Sequence, residues 1–371
     1  MKVIEQSYFE HAISTDRDGA THFEQKGPEQ IVYLQDEATA LQAIVAIHDT
    51  TLGPAVGGLR FLAYPDEQAA LQDVLRLSRS MTYKAAIAGL DVGGGKAVLI
   101  KKKGVTLTEA ILRKYGSYVE RLGGHYITAT DYNTSMEHMV QIAKSTRHVI
   151  GLPVALGGSG DPSENTAYGL YIAMKAAAKK VFGSDRLVGK KIGVAGVGKV
   201  GSCLVSLLCQ EKAVVYVTDI CPDRLQTLSE LHKVVIVTTE HLHSLPLDIY
   251  APCALGASLN AETIPQLNCA IIAGAANNQL AQPEKDGRRL FEREIVYVPD
   301  FLANAGGLIN AVTELDMRSF NKNLVKQRTE ELYSICLHVL DKAAESCCPT
   351  EEVAQSLALT RIQSIKNAFV R

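Results

Sequence analysis

Lys84 and Lys96 stand twelve positions apart, in Met81-Thr82-Tyr83-Lys84 and Gly93-Gly94-Gly95-Lys96. A lysine packed against glycine-rich backbone and placed near another cation is desolvated and repelled, and both effects move its ammonium towards neutrality, where it becomes a usable base. Taken alone, either lysine reads better as a solvated residue on a surface turn. A second feature changes the balance: further on the chain runs Gly196-Val197-Gly198-Lys199-Val200-Gly201. In such a run the first glycine permits a tight turn, the second lets backbone approach a pyrophosphate, and the third allows a helix to pack close on a strand. The helix N-terminus then receives the phosphates. Base chemistry on a small substrate in one part of the chain and a dinucleotide in the next is the combination these residues suggest.

The elements that must position them follow from periodicity. Apolar residues at Leu71, Val74, Leu75, Leu77 and Met81 predict a helix over 66–81 with Asp66 as N-cap, delivering Lys84 just past its patterned face. Residues 97–100 predict a buried strand, so Lys96 is expected where a glycine loop enters a sheet. Gly123-Gly124 leads into a β-branched and aromatic run that places Asp131 at a strand's carboxyl end, where catalytic groups of open α/β sheets gather. The densest cluster of breakers lies over 151–164 and sets the expected boundary between a first domain, 1–150, and a second, 151–349. An alanine-rich helix over 166–182 and a strand over 191–195 then lead to the glycine turn. That context, strand before and helix after, makes the turn a strong dinucleotide signal. Asp219 ends the next predicted strand, 214–218, and a carboxylate there accepts ribose hydroxyls and repels a 2′-phosphate, favouring NAD over NADP. Two further helices are expected in the tail, one with Leu332, Ile335, Cys336, Val339 and Leu340 on a face, the other starting near Thr350 behind Pro349.

Composition bounds the remaining possibilities. At 371 residues and 47% hydrophobic content the chain is long enough for two cores. A formal charge of −2 and no tryptophan argue against a nucleic-acid partner. No apolar run reaches membrane-spanning length, and the first residues turn polar too soon for a signal peptide, so a soluble cytoplasmic protein is expected. All eight cysteines lie at or beyond Cys203 without CxxC spacing, which favours reduced thiols and no metal.

With these pieces placed, the chain resembles the amino-acid dehydrogenases of glutamate, leucine, phenylalanine and valine, and most closely the leucine and aromatic branch. The resemblance runs from about Ile44 to about Asn310. It rests on seven segments in the family's order: 52–60 (LGPAVGGLR), 81–84 (MTYK), 93–96 (GGGK), 127–131 (ITATD), 251–256 (APCALG), 273–280 (AGAANNQL) and 304–310 (NAGGLIN). It implies an α/β chain of two domains, an N-terminal substrate and oligomerisation domain and a C-terminal Rossmann-like domain, with the terminal helix, about 350–371, packing back on the first. It implies reversible, NAD-dependent oxidative deamination in a homo-oligomer. By position, Lys84 would hold the substrate carboxylate, Lys96 would activate the water that attacks the imine, and Asp131 would move protons to and from the amino nitrogen. Gly57 and Gly58 would bring bare backbone to the substrate, beside Met81. Thr166, the glycine turn, Cys253, Ala254, Ala275, Ala276 and Asn277 would touch the cofactor, Asn277 reaching the substrate as well.

The glutamate enzymes place a lysine directly before Gly-Gly; here that position is Val56. The pocket walls by family position, Val56, Ala129, Leu308 and Ala311, are apolar, so leucine or another branched-chain amino acid is expected, with phenylalanine or tryptophan as the alternative. A protein that binds NAD(H) without turnover is the rival from another class, and it gives no reason to keep Lys84, Lys96 and Asp131 together. Two departures stand out: Tyr132-Asn133 after Asp131, and a loop over 157–164 that carries Asp161 and Glu164.

Overall fold

A computed structural model describes residues 2–4, 14–15, 21–22, 27–102, 104–316 and 320–369. The chain divides into two units, one made of Met1–Ala86, Leu90–Gly160 and Ile365–Arg371, the other of Ile87–Gly89 and Asp161–Ser364. Among the described residues no helix is long and apolar enough to cross a membrane.

The first unit holds strands β1 (Lys2–Ile4), β2 (Ser14–Thr15), β3 (Thr21–His22), β4 (Gln30–Asp36), β5 (Leu41–Asp49), β6 (Ala55–Leu62), β7 (Gly93–Ile100) and β8 (Tyr126–Thr130). Its helices are α1 (Glu67–Ile87), α2 (Glu109–Arg121) and α3 (Met136–Ala143). One six-stranded sheet has the order β1-β4-β5-β7-β6-β8; β6 runs parallel to both β7 and β8, while β1, β4 and β5 are antiparallel to their neighbours. Strands β2 and β3 form a separate short ladder.

Alternation along the strands sorts the sheet into two faces. Leu59, Phe61, Ala97 and Leu99 point to one, where α2 supplies Ile111, Leu112, Tyr115 and Val119 and α3 supplies Met139 and Ile142. Val98 points to the other, with Ala46 and with Ala70 and Val74 of α1. Strand β7 therefore lacks an alternating pattern because both of its faces are covered. Helix α1 begins as expected, the Asp66 carboxylate accepting from the Ala69 N–H at 2.7 Å, but it continues to Ile87. Buried Tyr83, Ala85 and Ala86 extend the packed face beyond Met81, so Lys84 lies within the last turn and not past it. Lys96 differs likewise: β7 starts at Gly93, and Lys96 is an interior strand residue paired with Ala46 of β5.

The second unit holds β9 (Lys191–Ala195), β10 (Val214–Thr218), β11 (Val234–Ile236), β12 (Leu247–Pro252), β13 (Cys269–Ile272) and β14 (Val296–Tyr297). All pair in parallel in the order β11-β10-β9-β12-β13-β14. This is the doubly wound Rossmann arrangement, whose order reverses between β9 and β12. The helices are α4 (Ser163–Phe182), α5 (Lys199–Gln210), α6 (Pro222–Leu231), α7 (Thr239–Ser244), α8 (Pro283–Glu292), α9 (Asp300–Ala303), α10 (Gly306–Asp316), α11 (Lys322–Glu330), α12 (Leu332–Ser346) and α13 (Thr350–Phe369). The division leaves α13 through Ser364 in this unit and assigns Ile365 onward to the first.

Space around the glycines gives a stability prediction. A Cβ on Gly57 would stand 1.7 Å from the Gly95 carbonyl oxygen, so alanine there must force β6 and β7 apart, whereas a Cβ on Gly198 meets nothing within 4 Å. Gly57→Ala is expected to lower stability by at least about 1–3 kcal/mol. Gly198→Ala should leave the urea midpoint unchanged, and equal midpoints for the two variants would show that the sheet spreads without cost.

Candidate active site

Three strands carry the first cluster. The pairing Leu59↔Ala97 sets Gly58 beside Lys96, and Gly58 pairs with Ala129 on its other side, so β7, β6 and β8 form one row. Alternation puts Arg60 on the same face as Gly58, and Asp131 on the same face as Ala129. A Cβ on Gly58 would lie 2.7 Å from the Asp131 Cβ and 2.4 Å from the Thr130 carbonyl oxygen. The missing side chain thus lets Asp131 come in over β6 towards Lys96, and the Lys96 Nζ lies 3.3 Å from Asp131 Oδ2. Both side chains are largely shielded from water, at 7% and 19% exposure.

A second cation meets the same carboxylate, the Arg60 Nε donating to Asp131 Oδ2 at 2.9 Å. Burial by itself would raise the Asp131 carboxyl, but the charges of Lys96 and Arg60 and their hydrogen bonds outweigh it and hold the group below its ordinary range. Asp131 is an anion at neutral pH, with a buried ammonium in contact. The turn that follows is fastened to β6: the Asp131 N–H donates to Thr134 Oγ1 at 2.8 Å, and that hydroxyl donates to the Leu59 carbonyl at 2.8 Å. Here the departures at Tyr132 and Asn133 acquire a role. The Phe61 N–H donates to the Tyr132 carbonyl at 3.0 Å, and Asn133, at φ 59°, donates through Nδ2 to the Phe61 carbonyl at 3.1 Å. Asparagine tolerates that left-handed conformation better than most residues.

Lys84 is half-buried in the last turn of α1. A Cβ on Gly94 would lie 2.1 Å from the Thr82 nitrogen, so bare backbone on β7 lets this end of α1 close onto the strand that carries Lys96. Thr82 is anchored by His48, Oγ1 to Nδ1 at 2.9 Å. Met81 and Ala129 are half-buried, and Val56 is 1% exposed.

In the second unit the glycine turn and the segment after β12 meet where the sheet order reverses. Gly196 has φ +99°, and a Cβ there would lie 2.7 Å from the Ala254 Cβ; the Cys253 N–H donates to the Ala195 carbonyl at 2.8 Å. A Cβ on Gly201 would stand 2.1 Å from the Gly196 carbonyl oxygen. Gly198, at the start of α5, faces open space, and Val200 follows in the helix's first turn. The Lys199 ammonium is exposed and paired with Asp161 at 2.8 Å, which gives one acidic group of the 157–164 loop a partner. Asp219 turns inward to the loop, Oδ2 accepting from the Val197 N–H at 2.8 Å and Oδ1 from the Cys221 N–H at 2.8 Å. The Val197 amide is therefore committed to Asp219. A cradle of bare backbone, a helix N-terminus and an inward carboxylate fit a dinucleotide.

After β13, the Ala276 N–H donates to the Pro252 carbonyl at 3.0 Å, which brings Ala275, Ala276 and Asn277 beside Cys253. Burial pushes the Cys253 thiol up to about 12, so it is a small inert group. Thr166 donates to the Pro162 carbonyl at 2.9 Å and packs against Gly307 of α10, the helix that also carries buried Leu308 and half-buried Ala311.

Two residues were absent from the sequence expectations. Asn304 Nδ2 donates to the Ala275 carbonyl at 3.1 Å and to Asn277 Oδ1 at 2.8 Å, fixing the loop expected to touch cofactor and substrate. Arg60 was within reach, since it stands two positions after Gly58 and so on the same face of a strand.

Comparisons with known proteins agree with this geometry. Residues 29–148 match the model of the Glu/Leu/Phe/Val dehydrogenase dimerisation domain, and residues 221–368 match that of the Glutamate/Leucine/Phenylalanine/Valine dehydrogenase domain. The chain is 45% identical to leucine dehydrogenase of Bacillus cereus over 340 residues, 92% of each chain. It is 43% identical to valine dehydrogenase of Streptomyces albus over 346 residues, 92% of this chain and 94% of the relative. The crystal structure of L-tryptophan dehydrogenase from Nostoc punctiforme superposes with a TM-score of 0.81 at 38% identity, covering 92% of this chain and 98% of that one. With two family models and full-length relatives in agreement, the chain belongs to the Glu/Leu/Phe/Val dehydrogenase family and is an amino-acid dehydrogenase.

Proposed function

We propose that the protein catalyses the reversible conversion of an apolar L-amino acid, NAD+ and water to the 2-oxo acid, ammonium, NADH and a proton, with leucine and other branched-chain amino acids as the preferred substrates. The observation that carries this reading is the buried Lys96–Asp131 pair, set beside the bare backbone of Gly58. The 45% identity to a leucine dehydrogenase supports the branched-chain assignment. The likeness to a tryptophan dehydrogenase keeps phenylalanine or tryptophan as the alternative.

Residues 1–150 supply the substrate chemistry in this reading, and residues 151–349 hold the cofactor. Lys84 binds the α-carboxylate as a charge-assisted partner, with Met81, Gly57 and Gly58 around it. Asp131, kept ionised by its two cations, takes a proton from the substrate's ammonium and leaves the amine neutral. Bound NAD+ supplies the acceptor for the hydride of the α-carbon. Lys96, once it has given up its own proton, then removes one from the water that adds to the substrate imine, and Asp131 returns one to the departing nitrogen. The residues that hold the dinucleotide are Gly196, Val197, Gly198, Lys199, Val200 and Gly201 at the pyrophosphate and Asp219 at the ribose. Thr166, Cys253, Ala254, Ala275, Ala276 and Asn277 complete its surroundings. A homo-oligomeric enzyme fits the dimerisation-domain match over 29–148.

Val56 and Ala129 are the proposed pocket walls in the first unit, and neither carries a side-chain hydrogen-bonding group. A second carboxylate against them would be buried and unpaired, at a cost of several kcal/mol. Leucine and valine would bind through apolar burial alone.

Three measurements test this reading. Lys96→Ala should reduce deamination by about 10²–10⁴, while NADH titrated by fluorescence binds as before; near-normal turnover would remove Lys96 from the mechanism. The enzyme should prefer NAD over NADP, and Asp219→Ser should narrow the preference. Equal kcat/KM for both cofactors before mutation would show that Asp219 does not discriminate. Initial rates with leucine, valine, phenylalanine, tryptophan and glutamate test the pocket: glutamate as best substrate would sink the apolar argument, and an aromatic winner would reverse only the ranking.

A further inference from the structure

Arg60 reaches two carboxylates on different elements. Its Nε donates to Asp131 Oδ2 at 2.9 Å, and its Nη1 donates to Asp73 Oδ2, on α1, at 2.9 Å. Asp73 is held in turn: the Tyr64 hydroxyl donates to the same oxygen at 2.7 Å, and Arg76 donates to Oδ1 at 3.2 Å. Lys96 approaches the same oxygen of Asp131 that Arg60 holds, at 3.3 Å. The hydrogen bond from Arg60 and the closest approach of Lys96 both fall on Oδ2 and not on Oδ1.

We propose that Arg60, anchored by Asp73, is a positioning residue for the deamination: it turns Asp131 so that Oδ2 lies with the cations and Oδ1 faces the amino nitrogen of the substrate. The proposal rests on the reaction assigned above. The step is a single proton transfer, from the substrate ammonium to Oδ1 in deamination and back again in the reverse direction. A guanidinium suits the task because it stays charged and never competes for that proton, and because its planar fork can serve two carboxylates at fixed angles. A lysine at position 60 would keep a positive charge but could not hold both partners in that geometry.

The charged and titratable groups around Asp131 are Lys96 on β7, Arg60 on β6, Asp73 and Arg76 on α1, and the neutral phenols Tyr64 after β6 and Tyr126 on β8. Burial pushes Asp131 towards its neutral form, and the two cations reverse that effect. Weakening the Arg60 contact leaves the burial in place and removes part of the opposition. The carboxyl must then titrate at higher pH, and the acid limb of kcat/KM for deamination must move with it.

The test uses the full-length chain with Arg60→Lys and Asp73→Asn. In Arg60→Lys the acid limb should rise by about 1 pH unit or more, with kcat reduced, KM little changed and NADH binding intact. Asp73→Asn keeps the guanidinium but releases its far end, so kcat should fall by about tenfold, the rate equivalent of one ordinary hydrogen bond. Following the Asp131 carboxyl carbon by NMR reads the same titration without turnover. An acid limb and an Asp131 titration unmoved in both variants, or a loss of rate equal at every pH, would make Arg60 a staple between α1 and the sheet and overturn the proposal. If Arg60→Lys does not fold, Asp73→Asn decides alone, and unchanged kcat there overturns it. If the unmodified enzyme deaminates no amino acid, the reaction assignment fails, and the NMR titration still decides whether Arg60 sets the state of Asp131.

Discussion

The backbone that lies between Lys96 and Asp131 is that of Gly58, and the cluster depends on that strand being bare there. A side-chain carbon at Gly58 would collide with the Asp131 Cβ and the Thr130 carbonyl, one at Gly57 with the Gly95 carbonyl, and one at Gly94 with Thr82 of α1. Three glycines on two adjacent strands therefore set how closely β6 and β7 approach, how closely α1 can lie on them, and whether the carboxylate can reach the lysine. Close approach of this kind leaves little water around the charges. Each ion is then stabilised mainly by its partners, and the loss of one partner leaves a buried charge uncompensated. Specificity of geometry, more than net stability, is what such a cluster provides.

Much of this arrangement is legible in the sequence. Strands at 191–195 and 214–218 were found to the residue, because each is a short apolar run bounded by turn residues. Asp131 fell at a strand end for the same reason. Lys84 and Lys96 were identified by type and spacing, but their settings were misjudged. Lys84 interrupts the apolar stripe of α1, so periodicity ended the helix too early, although Tyr83, Ala85 and Ala86 carry it on to Ile87. Glycine is a poor strand former in isolation, so Gly93-Gly94-Gly95 suggested a loop. Tertiary packing overrides that preference where neighbouring backbone leaves no space for a side chain.

Arg60 and Asn304 show a different limit. Both lie inside segments that were singled out, yet their roles come from partners far along the chain, Asp131 and Asp73 for one and Ala275 and Asn277 for the other. Hydrogen bonds between distant elements leave no periodic trace. Strand alternation could have put Arg60 on the face of Gly58, but not its guanidinium between two carboxylates.

The cofactor turn obeys the same logic of committed groups. Both oxygens of Asp219 already accept backbone N–H groups, from Val197 and Cys221, and the side chain is 5% exposed. A carboxylate held by two donors cannot swing aside to admit a phosphate, and it retains lone pairs for hydroxyl donors. Arg224 is the cation paired with Asp219, and an arginine beside this position can accommodate a 2′-phosphate. It stands 3.8 Å from Asp219 Oδ1 and is 58% exposed. At that exposure its charge is screened by water, whereas the carboxylate's is fixed by its two backbone donors. In the proposed binding mode this carboxylate would keep the field at the ribose negative, favouring two free hydroxyls over a phosphate.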